Sequence, residues 1–188
     1  MSPDAGRGRA HHVLCLSGSL RRQSGNTALL RAAAQLAPPS LHFSLHDGLA
    51  SLPPFNPDEE MAALPTSAAA LRHAVGRSDA LLIACPEYAH GVPGAFKNLL
   101  DWLVGSLEFP GKPVVLWNAS ARDSHHAQDA LREILVTMSA CLVEPASITV
   151  PLPGSGCDVA TILGDPVQPM RIRAALDALA GVLAATPR

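Results

Sequence analysis

The segment at residues 18–26, G-S-L-R-R-Q-S-G-N, places hydroxyl, amide and guanidinium side chains in one short loop. These polar side chains are Ser19, Arg21, Arg22, Ser24 and Asn26. Together they suit a phosphomonoester dianion, especially where the loop leads into a helix whose first N–H groups also attract anions. The alternative is an ordinary capped turn with solvated arginines. The spacing fits neither G-x-G-x-x-G nor G-x-x-x-x-G-K-S/T, so neither a Rossmann dinucleotide site nor an NTPase is indicated.

The segment at residues 86–94, P-E-Y-A-H-G-V-P-G, follows an apolar run and is rich in proline and glycine. Such a rigid path lets backbone groups approach a flat ring closely, and its tyrosine can form an aromatic wall. The alternative is a tight turn with an exposed tyrosine. His90 is assigned no acid or base role, because a surface histidine fits the position equally well. The residues expected along the ring are Pro86, Glu87, Tyr88, Ala89, His90 and Gly91.

The segment at residues 118–126, N-A-S-A-R-D-S-H-H, begins with small residues and continues with polar ones. It is placed to close over the other edge of the same ring, and Ser120 and Arg122 are among its polar residues. The side chains of His125 and His126 are expected to point apart on a helix, and no third ligand is apparent. A metal site is therefore not predicted.

Short apolar runs alternate with longer segments of helical periodicity. The pattern predicts strands at residues 12–17, 41–46, 80–85, 113–116 and 146–150, and helices at residues 26–37, 66–77, 93–104, 125–138 and 170–185. Residues 47–65 and 151–169 are predicted as loops. Such alternation indicates an α/β protein with a doubly wound parallel sheet, because parallel neighbours need a crossover helix between them. Ligands of such sheets bind beyond the carboxyl ends of the strands, which is where the three polar segments lie.

The chain has 188 residues, which favours one domain at residues 11–188 after a flexible N-terminal tail at residues 1–10. Its net charge of −2 provides no basic surface for nucleic acid. No apolar run approaches the roughly 20 residues that cross a bilayer. The four cysteines form no C-x-x-C pair and suggest no disulfide framework, so a reducing cytoplasm is expected. Cys15 and Cys85 are expected to be buried small hydrophobes.

Two motifs resemble those of the NADPH-dependent FMN reductase family, whose members reduce flavins, quinones, azo dyes or chromate. They are G-S-L-R-x-x-S-x-N at residues 18–26 and P-E-Y-x-x-x-x-P-G-x-x-K-N-x-x-D-W at residues 86–102. The resemblance implies a flavodoxin-like three-layer sandwich with a five-stranded parallel sheet of order 2-1-3-4-5. The chain departs from the family at Ala89, where many members have Asn, and at residues 123–125, where several have Gly-Gly.

By this resemblance, Ser19, Arg21, Ser24 and Asn26 hold the FMN phosphate, and residues 86–91 line the isoalloxazine. The family also implies NADPH or NADH as co-substrate, a small-molecule electron acceptor, ping-pong hydride transfer without a catalytic side chain, and a homodimer or homotetramer. The helix at residues 96–103 is a candidate contact surface. The alternative is a flavodoxin-type electron carrier that binds FMN but lacks an NAD(P)H site of its own.

Overall fold

The computed structural model describes residues 9–120, 124–153 and 156–186. Residues 1–8 of the predicted tail and the predicted site residue Arg122 lie outside these ranges.

A parallel sheet forms the centre of the molecule. Its strands are β1 (His11–Ser17), β2 (Leu41–His46), β3 (Ala80–Ala84), β4 (Pro113–Asn118), β5 (Cys141–Leu142) and β6 (Ile148–Thr149). The strand order is β2-β1-β3-β4-β5, and β6 also pairs with β4. β1 lies between β2 and β3, with Val13 opposite Phe43 on one side and Ala80 on the other. The predicted strand order and α/β class are confirmed.

Helices cover both faces of the sheet. They are α1 (Gly25–Leu36), α2 (Pro57–Ala62), α3 (Thr66–Gly76), α4 (Gly94–Val104), α5 (His125–Thr137), α6 (Val159–Gly164) and α7 (Gln168–Ala185). Successive strand residues point to opposite faces, so Val13 and Cys15 pack with α1, α6 and α7 in one core cluster. Leu14 and Leu16 pack with α3, α4 and α5 in the other. The result is a three-layer sandwich.

The prediction of a loop throughout residues 47–65 is wrong. This segment contains a 3-10 helix at Gly48–Ser51 and the short helix α2. Pro57 occupies the first turn of α2, where its missing N–H is not needed. The side chain of Asn56 caps the helix by accepting a hydrogen bond from the Asp58 N–H at 3.0 Å.

The single fifth strand predicted at residues 146–150 is replaced by two short strands. β5 pairs with the start of β4, at Pro113 and Val114, and β6 pairs with its end, at Trp117 and Asn118. Between them a 3-10 helix spans Glu144–Ala146 and includes a proline, which cannot donate to the sheet ladder. Two short strands, β5 and β6, therefore occupy the fifth position of the sheet.

The loop predicted at residues 151–169 contains α6 as well. Asp158 caps α6, because its Oδ1 accepts from the N–H and the hydroxyl of Thr161 at 2.8 and 2.7 Å. The last helix, α7, begins two residues before the predicted start at residue 170. None of the helices in the described ranges is long and apolar enough to cross a membrane.

Candidate functional site

The first polar loop runs from the end of β1 into the N-terminus of α1. Ser24 caps this helix: its Oγ accepts from the Thr27 N–H at 3.3 Å, and its carbonyl accepts from the Ala28 N–H at 2.9 Å. The first-turn N–H groups of Gly25 and Asn26 have no acceptor within the helix. The cap and an anion site are therefore compatible, because the positive end of α1 faces the loop.

Gly18 lets the first loop pack directly on the end of β3. Its N–H donates to the Ala84 carbonyl at 2.9 Å. A Cβ atom at position 18 would lie 2.4 Å from Cys85 Sγ and 3.1 Å from Cys85 Cα. Because backbone as well as side chain is this close, only glycine fits here without displacing the loop.

The second loop forms a tight two-residue hairpin. The N–H of Tyr88 donates to the Gly91 carbonyl at 3.1 Å, and the N–H of Gly91 donates back to the Tyr88 carbonyl at 3.0 Å. The tip residues Ala89 and His90 both have positive φ, 49° and 59°. Two central residues with positive φ are typical of a type I′ turn, which favours Asn and Gly. Asn at position 89 would therefore suit this backbone conformation better than Ala does.

Two contacts join the second loop to the start of α5, and a third contact lies within the third loop. Glu87 Oε2 accepts from the Ala127 N–H at 2.9 Å, in the first turn of α5. The rings of His90 and His126 stack with centroids 4.3 Å apart. The Ser124 hydroxyl donates to Ser120 Oγ at 2.7 Å. We call this set of contacts the α5 clasp; it fixes the two loops relative to each other.

A cleft of about 240 Å³ opens between the three loops. Its lining residues are Asn26, Pro86, Glu87, Asn118, Ala119, Ser120 and Ser124. The Oδ1 atom of Asn26 is buried and has no hydrogen-bond partner within the described structure. A buried acceptor without a donor is unfavourable by about 1–3 kcal/mol, so a hydrogen bond from a bound group would stabilise this side chain.

The structure brings part of the predicted site together at the cleft. Of the predicted residues that it describes, those lining the cleft are Asn26, Pro86, Glu87 and Ser120. The others lie on the flanking loops: Ser19, Arg21, Ser24, Tyr88, Ala89, His90 and Gly91. Sequence reasoning named no ring contact at Asn118, Ala119 or Ser124. Their position at the end of β4 and in the loop that follows was the signal that could have identified them.

The histidine pair at the start of α5 differs from the prediction. The rings of His125 and His126 do not point apart, because their centroids are 4.0 Å apart. Together with His90 they form a stack of imidazole rings beside the α5 clasp. In the part of the chain that the structure describes, no group of three His, Cys, Asp or Glu side chains is placed to hold a metal ion.

Cys15 and Cys85 are buried, as predicted. Desolvation by burial raises the pKa of each thiol to about 12. Both thiols are therefore protonated near neutral pH, and neither is available as a thiolate nucleophile. Although Cys85 immediately precedes the second loop, its role is to pack against Gly18.

The motif residues on α4 support the scaffold. Asn98 Oδ1 accepts from the Phe55 N–H at 2.7 Å, and Asn98 Nδ2 donates to the Pro53 carbonyl at 2.9 Å. Trp102 Nε1 donates to the same carbonyl at 2.8 Å, and its side chain is fully buried. These bonds fix the proline-rich segment against α4.

The family model described as NADPH-dependent FMN reductase matches residues 11–153. The chain belongs to this family. The match includes both motifs and all three loops of the site. The protein is accordingly an NAD(P)H-dependent flavin oxidoreductase whose cofactors are FMN and NAD(P)H. This membership favours the enzyme over the electron-carrier alternative.

Individual proteins similar to this chain are also reductases of this kind. An NAD(P)H-dependent FMN reductase of Pseudomonas aeruginosa is 38% identical over 128 residues, covering 66% of this chain and 69% of the relative. A quinone reductase of Escherichia coli is 33% identical over 140 residues, covering 70% and 72%. Among solved structures, the flavoenzyme NAD(P)H:(acceptor) oxidoreductase of Paracoccus denitrificans is 25% identical, with a TM-score of 0.75 and coverage of 93% and 98%.

Proposed function

We propose that the cleft and its flanking loops hold FMN and that the protein uses it to reduce quinones or flavins with NAD(P)H. In this arrangement the phosphate lies at the N-terminus of α1, near Ser19, Arg21, Ser24 and Asn26. The ring lies along residues 86–91 and beside Ser120. The observation that carries the proposal is that Asn26, which lines the cleft, has a buried Oδ1 atom with no hydrogen-bond partner among the described residues.

The residues present fit this cofactor chemically. Asn26 offers a buried acceptor to a ribityl hydroxyl, or its amide group to the phosphate after rotation about the side chain. Arg21 is exposed on the same loop and supplies the positive charge that a phosphate dianion needs. Gly18 keeps the loop close to β3, so that the phosphate end and the ring end of the site stay at a fixed separation.

The hairpin determines which backbone groups can face the ring. The N–H groups of Tyr88 and Gly91 are used within the hairpin, which leaves those of Ala89 and His90 at its tip. Fixed N–H dipoles of this kind stabilise negative charge on a bound ring. Tyr88 is 52% exposed beside them and can cover one edge of the ring.

Bound FMN supplies the chemistry by accepting hydride from the nicotinamide and transferring it to the acceptor. The chain positions the ring through the α5 clasp and leaves a side of the cleft open to small molecules. We assign no side chain as proton donor or acceptor. Successive use of one open face by nicotinamide and acceptor gives a ping-pong scheme.

We also propose how the protein assembles and where it is located. A homodimer or homotetramer is the expected state, with α4 as a contact surface. On that helix Lys97 and Asp101 form an exposed ion pair at 2.5 Å, whereas Phe96 and Trp102 face the core. Contacts between copies would therefore use Lys97, Asp101 and Val104 rather than Trp102. The four cysteines are unpaired, which is compatible with a reducing cytoplasm.

The experiment is anaerobic mixing of the purified FMN-loaded protein with NADPH, followed by addition of a benzoquinone. The account predicts that the visible flavin absorbance disappears within the time of mixing and returns when the quinone is added. Flavin absorbance that persists for many minutes with NADPH and with NADH would support the electron carrier instead.

A further inference from the structure

A second groove of about 200 Å³ lies between the N-termini of α1 and α6. Its α1 wall contains Arg22, Gln23, Ser24, Thr27, Ala28 and Arg31, and its α6 wall contains residues 156–159. Asn26 does not line this groove but lines the FMN cleft. The two cavities are therefore on different sides of the start of α1.

Two guanidinium groups make this groove positively charged. Arg22 and Arg31 are exposed, and the structure shows no ion pair or hydrogen bond from either guanidinium to any residue within the described ranges. Arg31 follows Ala28 by three residues and Ala28 follows Ser24 by four, so the three lie on one face of α1. Because Ala28 is small, space remains between the two arginine side chains and the helix.

The α6 wall contributes one negative charge, the Asp158 carboxylate, which already accepts hydrogen bonds within α6. Asp158 caps α6 through Oδ1, and hydrogen bonds from the Thr161 hydroxyl and N–H lower the pKa of its carboxyl group. Burial raises the pKa of the Cys157 thiol, and the nearby negative charge of Asp158 raises it further, so the thiol stays neutral. The groove thus holds two positive charges against one negative charge, and the positive end of α1 adds to the excess.

We propose that this groove binds the 2′-phosphate of NADPH through Arg22 and Arg31. This inference rests on the proposed function, because it places the nicotinamide of the same molecule over the FMN cleft. An α-helix with its side chains is about 10 Å wide, which is less than the length of an extended NADPH between its 2′-phosphate and its nicotinamide. Planar guanidinium groups bind a phosphate monoester dianion in paired hydrogen bonds, and NADH carries no such group there.

The phosphate of FMN is the other possible occupant, because it is also a monoester dianion. We favour NADPH for two reasons. Asn26, whose buried Oδ1 has no hydrogen-bond partner among the described residues, lines the FMN cleft and does not line the second groove. Arg21, on the same loop, is not part of the groove lining and remains for the FMN phosphate.

The first test compares kcat/KM for NADPH and NADH in the wild type, Arg31→Ala and Arg22→Ala with a fixed quinone. The ratio of NADPH to NADH is expected to fall about tenfold or more in each variant, and Arg31→Lys should recover part of it. Arg77→Ala removes an exposed arginine elsewhere and should leave the ratio unchanged. Equal effects on both nucleotides, or none, would overturn the proposal.

The second test needs no turnover. Isothermal titration calorimetry measures binding of adenosine 2′,5′-bisphosphate and of adenosine 5′-monophosphate to the FMN-loaded protein. The bisphosphate should bind more tightly than the monophosphate in the wild type, and Arg31→Ala should remove that difference. A wild type that does not distinguish them refutes the groove assignment, even if hydride transfer is intact.

The third test distinguishes the phosphate of FMN from the 2′-phosphate of NADPH as the group that binds in the groove. FMN and riboflavin affinities are measured by flavin fluorescence on apoprotein of Arg22→Ala and Arg31→Ala. Both variants should keep the wild-type preference for FMN over riboflavin. Loss of that preference would assign the groove to the FMN phosphate and overturn the proposal. If instead no nucleotide reduces the flavin while the bisphosphate still binds, the proposed function fails and the groove assignment stands.

Discussion

Glu87 Oε2 accepts a hydrogen bond at 2.9 Å from the backbone N–H of Ala127, 40 residues further along the chain. One carboxylate therefore belongs to the second loop of the site and also caps the first turn of α5. A negative charge at a helix N-terminus is stabilising, so the bond holds the loop in place and completes the helix end.

Glu87→Ala should lower the free energy of unfolding by about 1 kcal/mol, which is typical for loss of a helix cap. It should also weaken FMN binding, because the loop loses a fixed contact with α5. Urea unfolding and flavin fluorescence measure the two effects. Asp165→Ala is the matched control, since Asp165 accepts from the Val167 and Gln168 N–H groups at 2.8 and 2.9 Å, away from the cleft. Unchanged FMN affinity in Glu87→Ala would refute the positional role of the clasp.

Ala89→Asn should stabilise the protein by about 0.5–1 kcal/mol. Ala89 has a φ of 49°, a region that Asn adopts more readily than Ala does. The gain is measured as the shift of the urea midpoint at constant slope. Ala70→Asn, on the exposed face of the regular helix α3, is the control and should destabilise instead, because Asn is a poorer helix former. A loss of stability in Ala89→Asn would contradict the turn geometry described above.

The centre of the sheet could be predicted from sequence because β3 and most of β4 are apolar runs, which are typical of parallel strands covered on both faces. Ala80–Ala84 is buried throughout, as that argument requires. The failures have local causes. The helix Pro57–Ala62 was missed because its prolines were interpreted as breakers, although Pro57 occupies the one helical position that favours proline. The cap Asp158 and its partner Thr161 could have revealed α6.

The candidate site was predictable to the extent that it follows from topology. Loops after β1, β3 and β4 meet because the carboxyl ends of parallel strands share one edge. The α5 clasp was not predictable, since the pairing of Glu87 with Ala127 depends on where α5 begins in space. Likewise, the K-N-x-x-D-W motif could not reveal that Asn98 and Trp102 both bind the Pro53 carbonyl.

Stability should fall as the pH decreases below about 6.5, in part because of His46. Burial lowers the pKa of this imidazole, an effect that the charge of Asp47 partly opposes. Its Nε2 atom is buried and has no hydrogen-bond partner among the residues that the structure describes. The pKa of His46 is therefore lower in the folded state than in the unfolded state, and the unfolded state binds a proton first as the pH decreases. The free energy of unfolding is lost as the pH falls from the unfolded pKa through the folded pKa. The free energy of unfolding, measured by urea at about pH 7.5 and pH 5.5, should depend less on pH in His46→Leu. An identical pH dependence in both proteins would exclude a contribution from His46.

We propose above all that the first loop binds the phosphate of FMN and that the cleft binds its ring. Flavin fluorescence titration of the apoprotein with FMN and with riboflavin tests it most directly, in the wild type and in Arg21→Ala. The account predicts one FMN per chain in the wild type and, in Arg21→Ala, a loss of about 1.5–3 kcal/mol in FMN affinity with riboflavin affinity unchanged. Wild-type FMN affinity and full stoichiometry in Arg21→Ala would contradict it.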